Sequence, residues 1–231
     1  LEDANAEVDF YVTLDAGDVT IEEVWEGGKH DAEYYWKKTE DKTLIAFIST
    51  HPKLLEKWRG KVYFYNSPVP DEAYKNCVNS LERFNCLVST GGNVLGAAFY
   101  ISKAFFGANP TIFVGADFSF GYDHHFHSWD SKYDKNIGHV LKVTDIYGNK
   151  VKTWPSYYNF AAWFQAFASV VPGIYINATE GGCLGAFPEG NMMKIKQMDL
   201  EDVLEMYSLH RVLEPQCADP SNPDLEMRIL Y

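Results

Sequence analysis

Between Asn93 and Phe106 the chain carries a helix-like run with almost no polar side. Val94, Leu95, Ala97, Phe99, Ile101, Ala104, Phe105 and Phe106 spread around most of its circumference. A helix that is apolar all round has to be covered on nearly every side. Lys61 to Tyr65 ahead of it and Thr111 to Val114 behind it read as strands, and Gly107 fits a C-terminal cap. A buried helix between such strands predicts a parallel sheet with helices on both faces.

The rest of the chain repeats this alternation. Asp9 to Leu14 reads as a strand closing on Asp15, Thr43 to Ile48 as a second, and Ile174 to Ile176 as the last core strand. Helices are expected at Pro52 to Trp58 (entered through Thr50), at Asp71 to Leu81 with Asp71 as cap, at Pro155 to Val170 and at Leu200 to Leu209. Val19 to Lys38 reads as irregular, broken by Gly27 and Gly28. Val140 to Thr153 reads as a hairpin turning at Tyr147, Gly148 and Asn149. The expected fold is α/β, a Rossmann-like three-layer sandwich with a mostly parallel sheet and a β-hairpin insertion. One such domain would fill residues 1–213, and the Pro-rich residues 214–231 would form an extended tail.

Charge narrows the function. Twenty Lys and Arg against 32 Asp and Glu leave a net −12, which argues against a nucleic-acid partner. An anionic ligand must then be met by local backbone dipoles and a few cations. No apolar run reaches the roughly 20 residues that span a bilayer. Cys77, Cys86, Cys183 and Cys217 lack zinc-ligand spacing and read as buried thiols of a cytoplasmic protein, with a Cys77–Cys86 pair left open. The chain opens at Leu1 without an initiator Met, as a fragment or a processed product does.

The stretch from Ser89 to Asp130 concentrates the chemistry. Gly91, Gly92 and Asn93 stand at a helix start, where backbone N–H groups and the helix dipole favour an anion. A tight turn with an Asn cap uses the same residues. Gly115, Ala116 and Asp117 follow a strand, at the edge where open α/β sheets hold ligands. Asp117 there would accept from a ribose or sugar hydroxyl, or cap a turn. Asp15 has the same two roles open to it. His124, His125 and His127 offer a general base, with Asp123 or Asp130 to orient it, or are simply solvated. Asn177, Thr179, Gly181 and Gly182 offer an amide, a hydroxyl and backbone N–H groups for a base or sugar edge, while Glu180 among them would repel a phosphate. The aromatic row Tyr157, Phe160, Trp163, Phe164 and Phe167 recurs at helical spacing and reads as core.

These pieces, in this order, resemble a known family. Val8 to Asp15, Ser89 to Val94, the helix ending Phe106-Gly107-Ala108, Gly115-Ala116-Asp117, the hairpin Thr144 to Thr153 and the loop Asn177 to Gly182 look like the 6-hydroxymethylpterin diphosphokinase MptE-like domain. That domain is shared with the motility accessory factors that glycosylate flagellin, and is similar in fold to bacterial sialyltransferases. Family members open with a strand and a Gly-Pro-Ser-type loop that helps hold the nucleotide, and here that element is expected to be lacking, whether absent, cut away or removed.

The resemblance implies a transferase with a nucleotide-activated donor. The first expectation is a glycosyltransferase using a CMP-linked nonulosonic (sialic-like) sugar and a glycan or protein acceptor, with a loop histidine taking the acceptor proton. The alternative is pyrophosphoryl transfer from ATP to a hydroxymethyl pterin, with Asp15 and Asp117 converging on Mg²⁺. A non-catalytic nucleotide- or sugar-binding domain is the third reading.

Overall fold

The computed structural model describes residues 8–18, 21, 30–68, 72, 76, 86–120, 139–186 and 194–208. The histidine loop with His124, His125 and His127, Asp123, Asp130, Cys77, Cys217 and the tail lie outside them, as does the expected helix at Asp71 to Leu81 except at residues 72 and 76.

Strands β1 (Phe10–Thr13), β2 (Thr43–Phe47) and β3 (Lys61–Tyr65) pair in parallel in that order. Side chains alternate between faces. The register therefore puts Val12, Ile45, Phe47 and Tyr65 on one face and Tyr11, Leu44, Ala46 and Val62 on the other. Tyr35, Trp36 and Leu54 of helices α1 (Ala32–Lys38) and α2 (Pro52–Lys57), with Trp58, cover the second face. Helix α3 (Val94–Ala104) covers the first through Ala97 and Ile101.

Helix α1 falls inside the stretch expected to be irregular. Asp31 caps it by accepting from Tyr34 N–H at 2.8 Å, Glu33 sits in its first turn and Lys37 and Lys38 in its last. These end charges match the helix dipole and outweigh the aromatic content that hid the helix. Helix α2 is capped by His51, one residue past the expected Thr50.

A second parallel sheet has the order β4 (Thr111–Phe113), β7 (Tyr175–Asn177), β8 (Ile195–Gln197). Phe113, Tyr175 and Ile195 pack towards α3 and the long α4 (Pro155–Val170). Ile112 and Ile176 pack towards Val203 of α5 (Leu200–Ser208). Strand β8 is legible only through Ile195, since Lys196 and Gln197 are polar and exposed. Between β4 and α4 the chain inserts the antiparallel hairpin β5 (Leu141–Thr144) and β6 (Lys150–Thr153). Asp145 shapes its turn by accepting from Tyr147 N–H at 2.9 Å and Asn149 N–H at 2.7 Å.

Helix α3 joins the two halves. Ala97 and Ile101 lie one turn apart and face the first sheet, whereas Phe99 and Leu95 face the second. The Phe99 ring stands 4.8–5.4 Å from those of Phe113, Phe164, Phe167 and Tyr175. Full burial of one such ring contributes about 2–3 kcal/mol before pairwise aromatic terms are added. The helix is less enclosed than its composition suggests, because Phe105 and Phe106 past its end are about half exposed (50% and 51%). The expected fold is found: a three-layer, Rossmann-like α/β arrangement with parallel sheets and a hairpin insertion.

Candidate functional site

Chain direction gathers the rim. Leu87 pairs in parallel with Asn66 just past β3, so the chain reaches Gly91 at the C-terminal edge of the first sheet. Helix α3 then runs back. Phe99 lies against Phe113 at the end of β4, and Lys103 lies 5.3 Å over the ring of Tyr175, which pairs with Thr111 at its start. Helix and strand are therefore antiparallel. The N-terminus of α3 shares one rim with Asp15 after β1, Asp117 after β4 and residues 178–182 after β7.

At this rim the loops after β4 and β7 lock together. Gly115, at φ 71°, turns the chain out of β4. Ala116 N–H donates to Thr179 Oγ1 at 2.9 Å, and Cys183 N–H donates to the Asp117 carbonyl at 2.7 Å. Gly182, at φ 74°, lies so close that an added Cβ would overlap the Asp117 backbone. A Cβ on Gly181 would stand 3.2 Å from Asp117 Oδ1. The closing glycines thus let the second loop press on the first, and the Asp117 side chain emerges beside them. Partial desolvation raises the Asp117 carboxyl above its ordinary range, with its own backbone N–H pulling the other way, although the residue remains open to solvent.

Asn177 shapes this loop rather than facing outward. It is 1% exposed, its Nδ2 donates to Leu184 O at 3.0 Å, and its Oδ1 accepts from Thr179 N–H at 3.1 Å. Glu180 turns to the start of α5. Its carboxylate accepts from Leu200 N–H at 2.8 Å, capping α5, so its charge serves a helix start.

The Gly91–Gly92 turn has a packing reason as well. A Cβ on Gly91 would overlap the Trp163 ring, and one on Gly92 would stand 2.8 Å from Phe160. Both glycines have positive φ, 59° and 89°. Thr90 Oγ1 accepts from Gly92 N–H at 3.1 Å, and Asn93 Oδ1 accepts from Gly96 N–H at 2.9 Å as the helix cap. Among the described residues, no acceptor meets Asn93 Nδ2 or the first-turn N–H groups of Val94 and Leu95. The cap therefore leaves these donors open. Rings carry the row from here to Phe120: Phe160 lies 6.1 Å from Tyr157, Tyr157 lies 5.2 Å from Trp154, and Trp154 lies 5.3 Å from Phe120.

Asp15 is exposed beyond β1, where its charge adds to burial in raising the pKa of Tyr65, whose hydroxyl donates to Thr13 O at 3.1 Å. Among the described residues no group of three His, Cys, Asp or Glu comes together, and Asp15 and Asp117 follow strands of different sheets. One rim histidine escaped the sequence reading. His51 follows β2, donates from Nε2 to Asp18 at 2.9 Å and accepts at Nδ1 from Lys53 N–H at 3.1 Å. With both ring nitrogens engaged it is a cap, not a base.

No family model and no curated protein matches this chain. Among solved structures, the MAf glycosyltransferase from Magnetospirillum magneticum AMB-1 superposes on 82% of this chain with a TM-score of 0.52 and 11% identity. The chain spans 26% of that protein, and the likeness establishes a shared fold. No helix among the described residues is long and apolar enough to cross a membrane.

Proposed function

We propose that this chain is the nucleotide-sugar-binding part of a glycosyltransferase of the motility accessory factor type, with a CMP-linked nonulosonic sugar as donor. The observation that carries this reading is the locked pair of rim loops. Asp117 stands against Gly181 and Gly182 with Thr179 alongside, and the open first turn of α3 lies on the same rim. The fold shared with a MAf glycosyltransferase supports it.

In this reading the donor phosphate meets the N-terminus of α3 at Gly91, Gly92 and Asn93, where N–H groups and the helix dipole favour negative charge. The Asp117 carboxylate and the Thr179 hydroxyl bind hydroxyls of the ribose or sugar, and Gly115 and Asn177 shape the loops that present them. The acceptor oxygen bonds to the anomeric carbon as the bond to the CMP phosphate oxygen breaks, and CMP departs. The acceptor proton passes to one of His124, His125 or His127. Positioning and fixed dipoles would supply most of the acceleration.

The test is calorimetric titration with CMP, a CMP-sugar, ATP with Mg²⁺ and a hydroxymethyl pterin. Metal-independent binding of CMP that Asp117→Asn weakens about tenfold or more supports the reading, that loss being typical of a charge-assisted hydrogen bond. Mg²⁺-dependent binding of ATP together with pterin would transfer the chain to the diphosphokinases. Binding without turnover by the unmodified chain would leave a non-catalytic domain.

A further inference from the structure

The hairpin carries a charge pattern that the rim does not use. Its register sets Lys142 opposite Lys152 and Thr144 opposite Lys150, so three ammonium groups and a hydroxyl share one face. Like charges directly opposed across an antiparallel pair destabilise it. Among the described residues no carboxylate pairs with any of the three. In a chain of net charge −12 this is a local reversal of sign. Lysine on an edge strand discourages sheet-to-sheet association, and both strands of this two-stranded sheet are edges, so that role is open to all three lysines.

A cavity of about 290 Å³ opens here, lined by Lys142, Thr144 and Lys150 together with Leu141, Val143 and Tyr158. Lys150 Nζ donates to Thr144 Oγ1 at 2.6 Å, which leaves further ammonium hydrogens to give. Cys183 also borders the cavity, and its N–H is bonded to Asp117, so the cavity adjoins the rim. Hairpin and rim are joined too: Ile146 N–H donates to Gly182 O at 3.0 Å, and Tyr147 Oη donates to Glu180 O at 3.0 Å. Pockets for drug-sized ligands begin near roughly 300 Å³. This one suits a single ring better than a whole nucleotide sugar.

We propose that the cavity binds a small sugar carrying one carboxylate or phosphate. Lys142 and Lys150 meet the anion, Thr144 meets a neighbouring hydroxyl, and Tyr158 lies under the C–H face of the ring. The choice of a sugar over another small anion rests on the glycosyl-transfer reading. The anionic character does not.

The test is an NMR titration of the full chain with glucuronate, glucose 6-phosphate and glucose, followed at the amides of residues 141–144 and 150. Saturable shifts with either anionic sugar and none with glucose are expected; which anion binds tighter distinguishes carboxylate from phosphate. Lys142→Gln and Lys150→Gln should each weaken binding about tenfold, as loss of a charge-assisted contact does, while Lys53→Gln on α2 leaves it unchanged. Equal shifts with glucose, or unaltered affinity in both hairpin variants, would overturn the proposal. CMP titrated into the same samples separates the two readings. Anionic-sugar binding without CMP binding sinks only the donor site, and CMP binding with no sugar response sinks only this cavity.

Discussion

Replacing Gly182 by Ala tests the contact on which the rim depends. Two costs add. At φ 74° a side chain enters the left-handed region, which costs about 1–2 kcal/mol. The new Cβ also overlaps the Cα and carbonyl of Asp117, backbone atoms that cannot swing aside as a flexible side chain would. Such overpacking costs about 1–3 kcal/mol. Together they predict a loss of roughly 2–5 kcal/mol, or a fall in Tm of roughly 4–20 °C for a chain of this size. Gly148→Ala is the control: its φ is 87° but nothing lies within 4 Å of the added atom, so only the conformational cost applies. Urea denaturation of both variants, with CMP titration of the folded fraction, reads stability and site geometry together. If Gly182→Ala is no less stable than Gly148→Ala and binds CMP as the parent does, the loops are not locked as described.

Other substitutions probe the remaining contacts. Phe99→Ala should cost about 3–5 kcal/mol by emptying the ring cluster that α3 shares with the second sheet, measurable by chemical denaturation. Asp117→Asn should stabilise the free protein at neutral pH. The folded carboxyl holds its proton more tightly than the unfolded one, so its ionisation opposes folding. That penalty is absent below the unfolded value and sets in as pH rises through the folded one, so the gain in Tm should vanish near pH 3, about a unit below an ordinary Asp. Burial pushes the Cys183 thiol up to about 12, with the Asp117 charge adding to it, so native Cys183 should resist alkylation near pH 8 and react after unfolding, as read by peptide mass mapping. Lys152→Thr should raise hairpin stability by about 0.2–1 kcal/mol by removing the opposed charge, detectable in the slow-exchanging amides of β5 and β6.

Periodic, strongly apolar segments were legible in sequence. Pro155 to Val170 was bounded correctly because Pro155 opens that helix and Pro172 with Gly173 follows its end. The hairpin was legible from its Tyr147-Gly148-Asn149 turn. Helix α1 was not, because Tyr34, Tyr35 and Trp36 carry no helical preference and the evidence lay in Asp31 and the charges at its ends. Strand β8 escaped because a single buried residue, Ile195, fixes it. At the site, the position of Asp117 and the Gly181–Gly182 loop followed from strand direction. What Asn177 and Glu180 do with their polar atoms did not, since Leu184 and Leu200, which take them up, are brought near only by tertiary folding. The lysine face could have been found. Counting back from the turn pairs Thr144 with Lys150 and therefore Lys142 with Lys152.

Because one helix seals both half-cores, the sheets cannot hinge apart without tearing Ala97 or Phe99 from its packing. The rim is thus carried on a single block, a fixed anvil beneath its loops.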